Sequence, residues 1–418
     1  MLLTSFLAHP SLRRNSGMPA GLRIYDTLKG GIEPFESLSK RRVKMLVCGP
    51  TVQNYMHVGH ARTDIFFDTV ARYLRHQGYE VTFLMNMTDI DDSIVKGAEK
   101  EKLSPQAYAE KYTNAFIQDM ARLNVTSITK YPRVSHYIKE MIKEVEGLIG
   151  NGHAYVVDGD VYLDTSTVPG FGQLSHLSAE ELTLRPVEIS PKKRHLTDFA
   201  LWRSSLASGQ RWGSPWGIGS PGWHIQDTGI SLTELGPQYD IHGGARELIY
   251  PHHESLIAEA ESLTGLKPYV RFWMHTGLLT VAKKKMSKSE GNIVSVRETL
   301  SKFGSSQLRM YLLLSHYRRD MEYDESKLGH VDEEFWSLKA KAKRIKEGSS
   351  REPILDGPNL SLRPFIEAMN DDFNTPQAIA RLSRLVDDGA HEVNIRRLDS
   401  YHDSIAKASA ILGVNILE

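Results

Sequence analysis

Val43-Lys44-Met45-Leu46-Val47-Cys48-Gly49-Pro50, followed by His57-Val58-Gly59-His60, is the stretch that sets the fold. The apolar run from Val43 to Val47, interrupted only by Lys44, reads as a short buried strand. Cys48-Gly49-Pro50 turns the chain, and between Ala61 and His76 apolar residues at 65, 66, 67, 70, 73 and 74 return at helical spacing. Strand, Gly/Pro turn and helix N-terminus together make an anion site, because unpaired N–H groups and the helix dipole point at the ligand. His57 and His60 can donate to phosphate oxygens there, and Gly59 leaves room for a flat base to approach the backbone.

Far downstream, Lys285-Met286-Ser287-Lys288-Ser289 and the following Glu290-Gly291-Asn292 form a compact polar loop with a glycine at its end. Two ammonium groups and two hydroxyls suit a triphosphate. Lysine-rich loops are usually solvated surface. The upstream histidine segment changes that reading, and the two stretches become halves of one phosphate-handling site.

The 418-residue chain is too long for one ordinary core, so roughly two to four domains are expected. Lys plus Arg equals Asp plus Glu at 51 each, so no global basic field advertises nucleic acid, although local patches suffice for it. Cys48 is the one cysteine, which excludes an internal disulfide and suits a reducing, cytoplasmic compartment. No run approaches the ~18 apolar residues of a membrane span. The apolar stretch Leu2 to Ala8 is short and is broken by His9 and Pro10, so 1–21 reads as a disordered leader, with Met18 as a candidate start.

Val81 to Met85 is the next strand. Asn86 to Asp92 follows at its carboxyl end, where ligands bind in doubly wound sheets. Asp89, Asp91 and Asp92 read either as helix-capping residues or as an active-site edge. The pattern breaks over 103–215: helices around Ala107–Leu123 and Val134–Ile149, a strand Asp160–Leu163, then Pro186, Pro191 and the basic Lys192-Lys193-Arg194-His195, a solvated loop or a phosphate contact. A second nucleotide-fold half, about 216–300, carries Trp223-His224, Asp240-Ile241-His242-Gly243-Gly244 and a strand expected from Phe272 to Leu279. Beyond it the chain is helical. Lys339, Lys341, Lys343, Arg344 and Lys346 line one basic stretch, and a loop with Gly348, Pro353, Gly357 and Pro358 precedes a last helical piece. The expected architecture is α/β: a doubly wound catalytic domain over 22–300 with an insertion at 103–215, a helical region at 301–350 and a helical bundle at 351–418.

His57–His60 and Lys285–Ser289 resemble the HIGH and KMSKS signatures of class I aminoacyl-tRNA synthetases. Val47–Val52, Asn86–Asp92, Asp198–Trp202, Pro221–Ile225, Asp240–Gly244, Pro251-His252-His253-Glu254 and Asp371–Pro376 are similar to cysteinyl-tRNA synthetases, in order across 22–380. The resemblance implies a Rossmann-like catalytic domain, a connective insertion over the acceptor end, and a stem contact at Ser315–Arg318. It implies ATP-dependent adenylation with Mg²⁺, in which His57 and His60 meet phosphate and Lys285 and Lys288 hold pyrophosphate. Gly59, Asp240, His242, Gly243 and Gly244 would surround the nucleotide, and Cys48, Thr88, Trp223, Asp227 and His252 the amino acid. The implied partners are an amino acid, cysteine by family default, and tRNA; a monomer with no membrane attachment is expected. Ser93 stands where the family usually has lysine.

The departure from the pattern is at zinc. The family's four zinc positions fall here on Cys48, Asp227, His252 and Leu256, so two match, a carboxylate replaces a cysteine, and leucine replaces a glutamate. Three readings stay open. Cys48, Asp227 and His252 hold zinc and the substrate thiolate completes the tetrahedron; or no zinc binds and Asp227 faces a cationic or hydroxyl amino acid; or the chain is a non-catalytic paralogue, against which the intact nucleotide motifs argue. The acceptor is open as well. Arg211–His224 and Ile411–Val414 are similar to the mycothiol-pathway ligase that joins cysteine to glucosaminyl-inositol, a small amine, whereas Ala368–Pro376 is synthetase-like.

Overall fold

Four parallel strands carry the centre of the molecule, in the spatial order Val270–Thr276, Tyr239–Ala245, Arg42–Val47, Glu80–Met85. The computed structural model describes residues 21–204, 210–286, 291–350 and 362–418. The strands are apolar because helices cover both faces of a parallel sheet: Val43, Met45, Leu46, Val47, Phe83, Leu84 and Met85 are all buried. The chain runs from Arg42–Val47 to Glu80–Met85 on one side and returns later to place Tyr239–Ala245 on the other, pairing Ile241 with Met45 and Gly243 with Val47. That reversal is the switch point, and the crevice beyond the strands' carboxyl ends is where such sheets bind ligands.

Helix Val58–His76 crosses this point. His57 is its N-cap, Nδ1 accepting from the Gly59 amide at 3.1 Å, and the expected apolar positions, Ile65, Phe66, Phe67, Val70, Tyr73 and Leu74, are all buried, together with polar neighbours such as Arg62, Thr63, Asp64 and Asp68. The helix seats closely because residue 243 has no side chain: a Cβ there would lie 2.3 Å from the Phe67 ring.

Along the chain, between Met85 and Tyr239, comes a five-stranded antiparallel sheet ordered Ala154–Val157, Asp160–Leu163, Phe199–Arg203, Gly217–Pro221, Trp212–Ser214, with helices Pro105–Arg122 and Ile138–Gly150. The basic run is anchored there. Lys192 pairs with Asp160 at 2.8 Å, Lys193 donates to the carbonyls of Glu188 and Leu196, and Arg194 lies over the Tyr155 ring.

The strand expected from Phe272 to Leu279 stops at Thr276, and Leu279–Val281 belongs to a separate small sheet with Lys284–Lys285 and Met321–Glu322. The break has a physical cause. Arg62, buried on the long helix, donates to the carbonyls of Gly277 (3.0 Å) and Leu278 (2.7 Å), and Asp320 accepts from the Leu278 amide at 2.8 Å. Those backbone groups are thereby taken out of the ladder.

Helices Glu325–Gly348, Arg363–Asn370, Thr375–Ala390 and Ile395–Leu412 pack together at the C-terminal end. Asp372 joins them to the rest: it accepts from the Tyr25 amide (2.8 Å), the Tyr317 hydroxyl (2.7 Å) and Arg318 Nε (2.8 Å). The leader expected at 1–21, apart from Gly21, and the Pro/Gly loop at 351–361 lie outside the described residues. Among the described residues no helix is long and apolar enough to cross a membrane.

Candidate active site

A cavity of about 390 Å³ opens at the switch point. One wall is the start of the long helix, with Gly59, His60, Thr63 and Asp64, and His57 before it; the His57 and His60 rings stack with centroids 3.8 Å apart. A Cβ at residue 59 would meet the His57 ring at 2.9 Å and Met286 Cε at 3.7 Å, so glycine keeps a narrow slot between helix start and lysine loop. The far flank of that loop is tied to the histidine segment. The Val58 amide donates to the Val294 carbonyl (3.0 Å) and the Val296 amide to the Met56 carbonyl (3.2 Å). Met286 and the segment that follows the loop thus lie beside the histidine segment at the cavity. Lys285 lies in a short strand opposite Thr280, while Ser287, Lys288, Ser289 and Glu290 lie outside the described residues.

The floor is polar and crowded. Cys48 Sγ donates to Asp227 Oδ2 at 2.9 Å and lies 3.1 Å from His253 Nε2 and 3.4 Å from His242 Nε2. His252 Nε2 lies 3.2 Å from the same Asp227 oxygen. Asn86 donates to Asp227 Oδ1 at 2.6 Å and accepts from the Gly49 amide at 2.8 Å, so it fixes the carboxylate against the strand-end turn. Trp223 stacks on His252 with centroids 4.5 Å apart, and His252 Nδ1 is 2.8 Å from His224 Nδ1. Thr88 lines the same end of the cavity. Burial, helped by the Asp227 charge, pushes the Cys48 thiol well up, and burial holds His224, His242 and His253 neutral and His275 down to about 3.

Cys48, Asp227 and His252 offer one donor atom each within 4.8 Å of one another, and so do Cys48, His242 and His253. Leu256 is buried in the core beneath and carries no donor.

The nucleotide turn expected at Asp240–Gly244 lies within the strand Tyr239–Ala245. Asp240 accepts from the Leu38 and Lys44 amides at 2.6 and 2.8 Å, tying two chain segments together away from the cavity. His242 faces Cys48 and takes the Tyr239 hydroxyl at 2.6 Å, Gly243 lies under Phe67, and Gly244 lies against His253. The cavity wall here is instead Ala245, Glu247 and Leu248, just past the strand end. His253, Asn86 and Asp64 are site residues that sequence reasoning did not single out. A signal existed for two of them: His253 adjoins His252, and Asp64 follows His60 at the i+4 spacing of one helix face.

Doubly wound sheet, switch-point cavity and histidine-opened helix together define a nucleotide-binding catalytic fold. The solved methionyl-tRNA synthetase of Mycobacterium tuberculosis, in complex with methionyl-adenylate, shares it with a TM-score of 0.64 at 17% identity, covering 89% of each chain. A family model described as the tRNA synthetases class I (C) catalytic domain matches residues 34–333, and a DALR domain model matches 364–417. The chain is 42% identical to a cysteine–tRNA ligase of Dehalococcoides mccartyi over 86% of its length and 79% of the relative's. To one of Carboxydothermus hydrogenoformans it is 43% identical, over 87% and 80%. The chain belongs to the cysteinyl branch of the class I aminoacyl-tRNA synthetases.

Proposed function

We propose that this chain is an ATP-dependent ligase that adenylates cysteine and transfers it to tRNA. The observation that carries the reading is the convergence of Cys48, Asp227 and His252 at the floor of a cavity whose wall is the His57–His60 helix start. The identity to cysteine–tRNA ligases over most of the chain supports the same substrate.

A thiolate, a carboxylate and an imidazole from three elements form a donor set that zinc accepts, and an ion held by only three protein ligands could take a further donor from the substrate. Cys48, Asp227 and His252 fit the ion and would hold it. When bound, it supplies a soft contact for the substrate sulfur, which separates cysteine from serine and alanine.

The chemistry is positioning and charge stabilisation. The amino-acid carboxylate attacks the α-phosphorus of ATP, one P–O bond forms as another breaks, and pyrophosphate leaves; an ionised nucleophile needs no general base. His57 and His60, at a helix N-terminus, donate to phosphate oxygens as charge builds there. Lys285 and Lys288 hold the departing pyrophosphate and offset its charge, which Mg²⁺ would share when bound with ATP. A terminal ribose hydroxyl of tRNA then attacks the acyl carbon and AMP departs.

The test is ATP–pyrophosphate exchange over all amino acids, with zinc quantified on the same protein and labelled cysteine followed onto tRNA. Expected are exchange with cysteine, about one zinc per chain and label on tRNA. Exchange with a cationic or hydroxyl amino acid on zinc-free protein, or label passing to an added small amine and not to tRNA, overturns the reading.

A further inference from the structure

The peptide that joins Gly277 to Leu278 is held from both sides. Its carbonyl accepts from Arg62 Nη1 at 3.0 Å, and its amide donates to Asp320 Oδ1 at 2.8 Å. The same Arg62 nitrogen reaches the Leu278 carbonyl at 2.7 Å, while Nη2 donates to the Arg319 carbonyl and, at 3.5 Å, to that of His316. Glycine at 277 makes room for this, since a Cβ there would lie 2.2 Å from the Arg319 carbonyl oxygen. One guanidinium thus ties the histidine-opened helix to two separate stretches of backbone.

The arrangement is a costly one. Arg62 is buried, and among the described residues its hydrogen-bond partners are four carbonyls and no carboxylate; a buried charge held by neutral groups alone is unfavourable. What it holds is the approach to the lysine loop. Gly277, Leu278 and Leu279 line the cavity together with His57, Gly59 and His60. From Leu279 the chain enters a short hairpin, Leu279–Val281 with Lys284–Lys285, which lies outside the central sheet and is joined on its other side by Met321–Glu322. Sheet continuity therefore does not fix where this hairpin stands relative to the helix start. The clamped peptide does. Asp320 completes the clamp from the surface, with Arg246 Nη2 at 2.5 and 2.6 Å from its two oxygens, and Arg246 adjoins the cavity-lining Ala245 and Glu247.

We propose that Arg62 and Asp320 are positioning residues for adenylate formation, which clamp the Gly277–Leu278 peptide and so fix the lysine hairpin against the His57–His60 helix start. The assignment rests on the ligase reading above and adds to it the groups that hold the two phosphate-handling stretches in register. Neither residue lines the cavity, and both act through backbone.

The experiment compares the wild-type chain, Arg62→Lys, Asp320→Ala and the double variant by cysteine-dependent pyrophosphate exchange, equilibrium binding of ATP, melting, and hydrogen exchange of the 279–285 amides with and without ATP. Lysine keeps the charge and loses the planar fork. Asp320 is half exposed, so its removal changes melting little. Asp320→Ala is expected to bind ATP within about threefold of the wild type while its kcat falls about tenfold, and Arg62→Lys to lose about a hundredfold in kcat, the scale of a displacement of about 1 Å. The double variant falls no further than Arg62→Lys, because both changes release one peptide. In the wild type ATP slows hydrogen exchange across 279–285, and in the variants it does not. Wild-type kcat in Asp320→Ala overturns the proposal, as do losses that multiply in the double variant or a loss of kcat that tracks lost ATP affinity. Equal ATP protection of the hairpin in wild type and variants overturns it as well. Should Arg62→Lys melt far below the wild type, Asp320→Ala carries the test alone. A wild type inactive in pyrophosphate exchange with every amino acid counts against the ligase reading; hairpin protection, which needs no turnover, then decides the clamp.

Discussion

Asp227 collects three contacts on one carboxylate, the Cys48 thiol, the Asn86 amide and the His252 imidazole, and is almost wholly buried. A carboxylate so placed strands its neighbours when removed. Asp227→Ala should weaken zinc affinity at least about tenfold, since it removes a ligand and frees the Asn86 clamp together. Competition against a chelator, followed by metal analysis, measures this; zinc retention equal to the parent would discard Asp227 as a ligand. Cys48 and His252 were legible at this scale because donor type and local motif survive in the linear chain. His242 and His253 were not assigned to the cysteine, because which of several histidines faces a given sulfur depends on how separate elements pack.

At the scale of elements, the long helix Val58–His76 was readable from its apolar repeat, and the strand before it from its apolar run. The floor beneath the pocket was not. Glu144 and Glu259 come from helices Ile138–Gly150 and Glu254–Thr264, which pack with Ile225–Glu234. Neither Glu144 oxygen has a hydrogen-bond partner, and Glu259 meets Thr228 at 2.9 Å. Burial pushes Glu144 up to about 8, and burial together with the Glu144 charge raises Glu259. A carboxyl raised on folding contributes stability that is present below the ordinary glutamate range near 4.5 and is lost as pH rises through about 8. Glu144→Gln, a neutral mimic of the protonated acid, should therefore melt a few degrees above the wild type at pH 8, with the gap closing toward pH 4.5. Melting curves that run parallel across that range would remove Glu144 as the cause.

Across the whole molecule, Arg309 is the joint between the central sheet's helix and the C-terminal helices. It is 0% exposed, pairs with Asp68 Oδ2 at 2.7 Å, and donates to the Leu412, Leu123 and Asn124 carbonyls at 2.9, 3.2 and 3.1 Å. Arg309→Ala leaves a buried Asp68 without this partner and several carbonyls bare, and should cost about 3–5 kcal/mol. Denaturant unfolding reads the loss, and a midpoint within experimental error of the wild type would refute the joint.

Sequence alone determined the α/β class, the histidine and lysine halves of the site, and the altered donor set at 48, 227, 252 and 256. The class and the two phosphate-handling stretches rest on local periodicity and on the chemistry of side chains, which need no partner to be read, and the donor set rests on the resemblance to cysteinyl-tRNA synthetases. Tertiary structure alone decided which members of each motif face the cavity. Asp240 became a tie between backbones, Gly243 a seat for Phe67, and Asp64 a cavity wall. Along a strand, alternate residues point to opposite faces, and only the helices packed on those faces determine which one a ligand can reach.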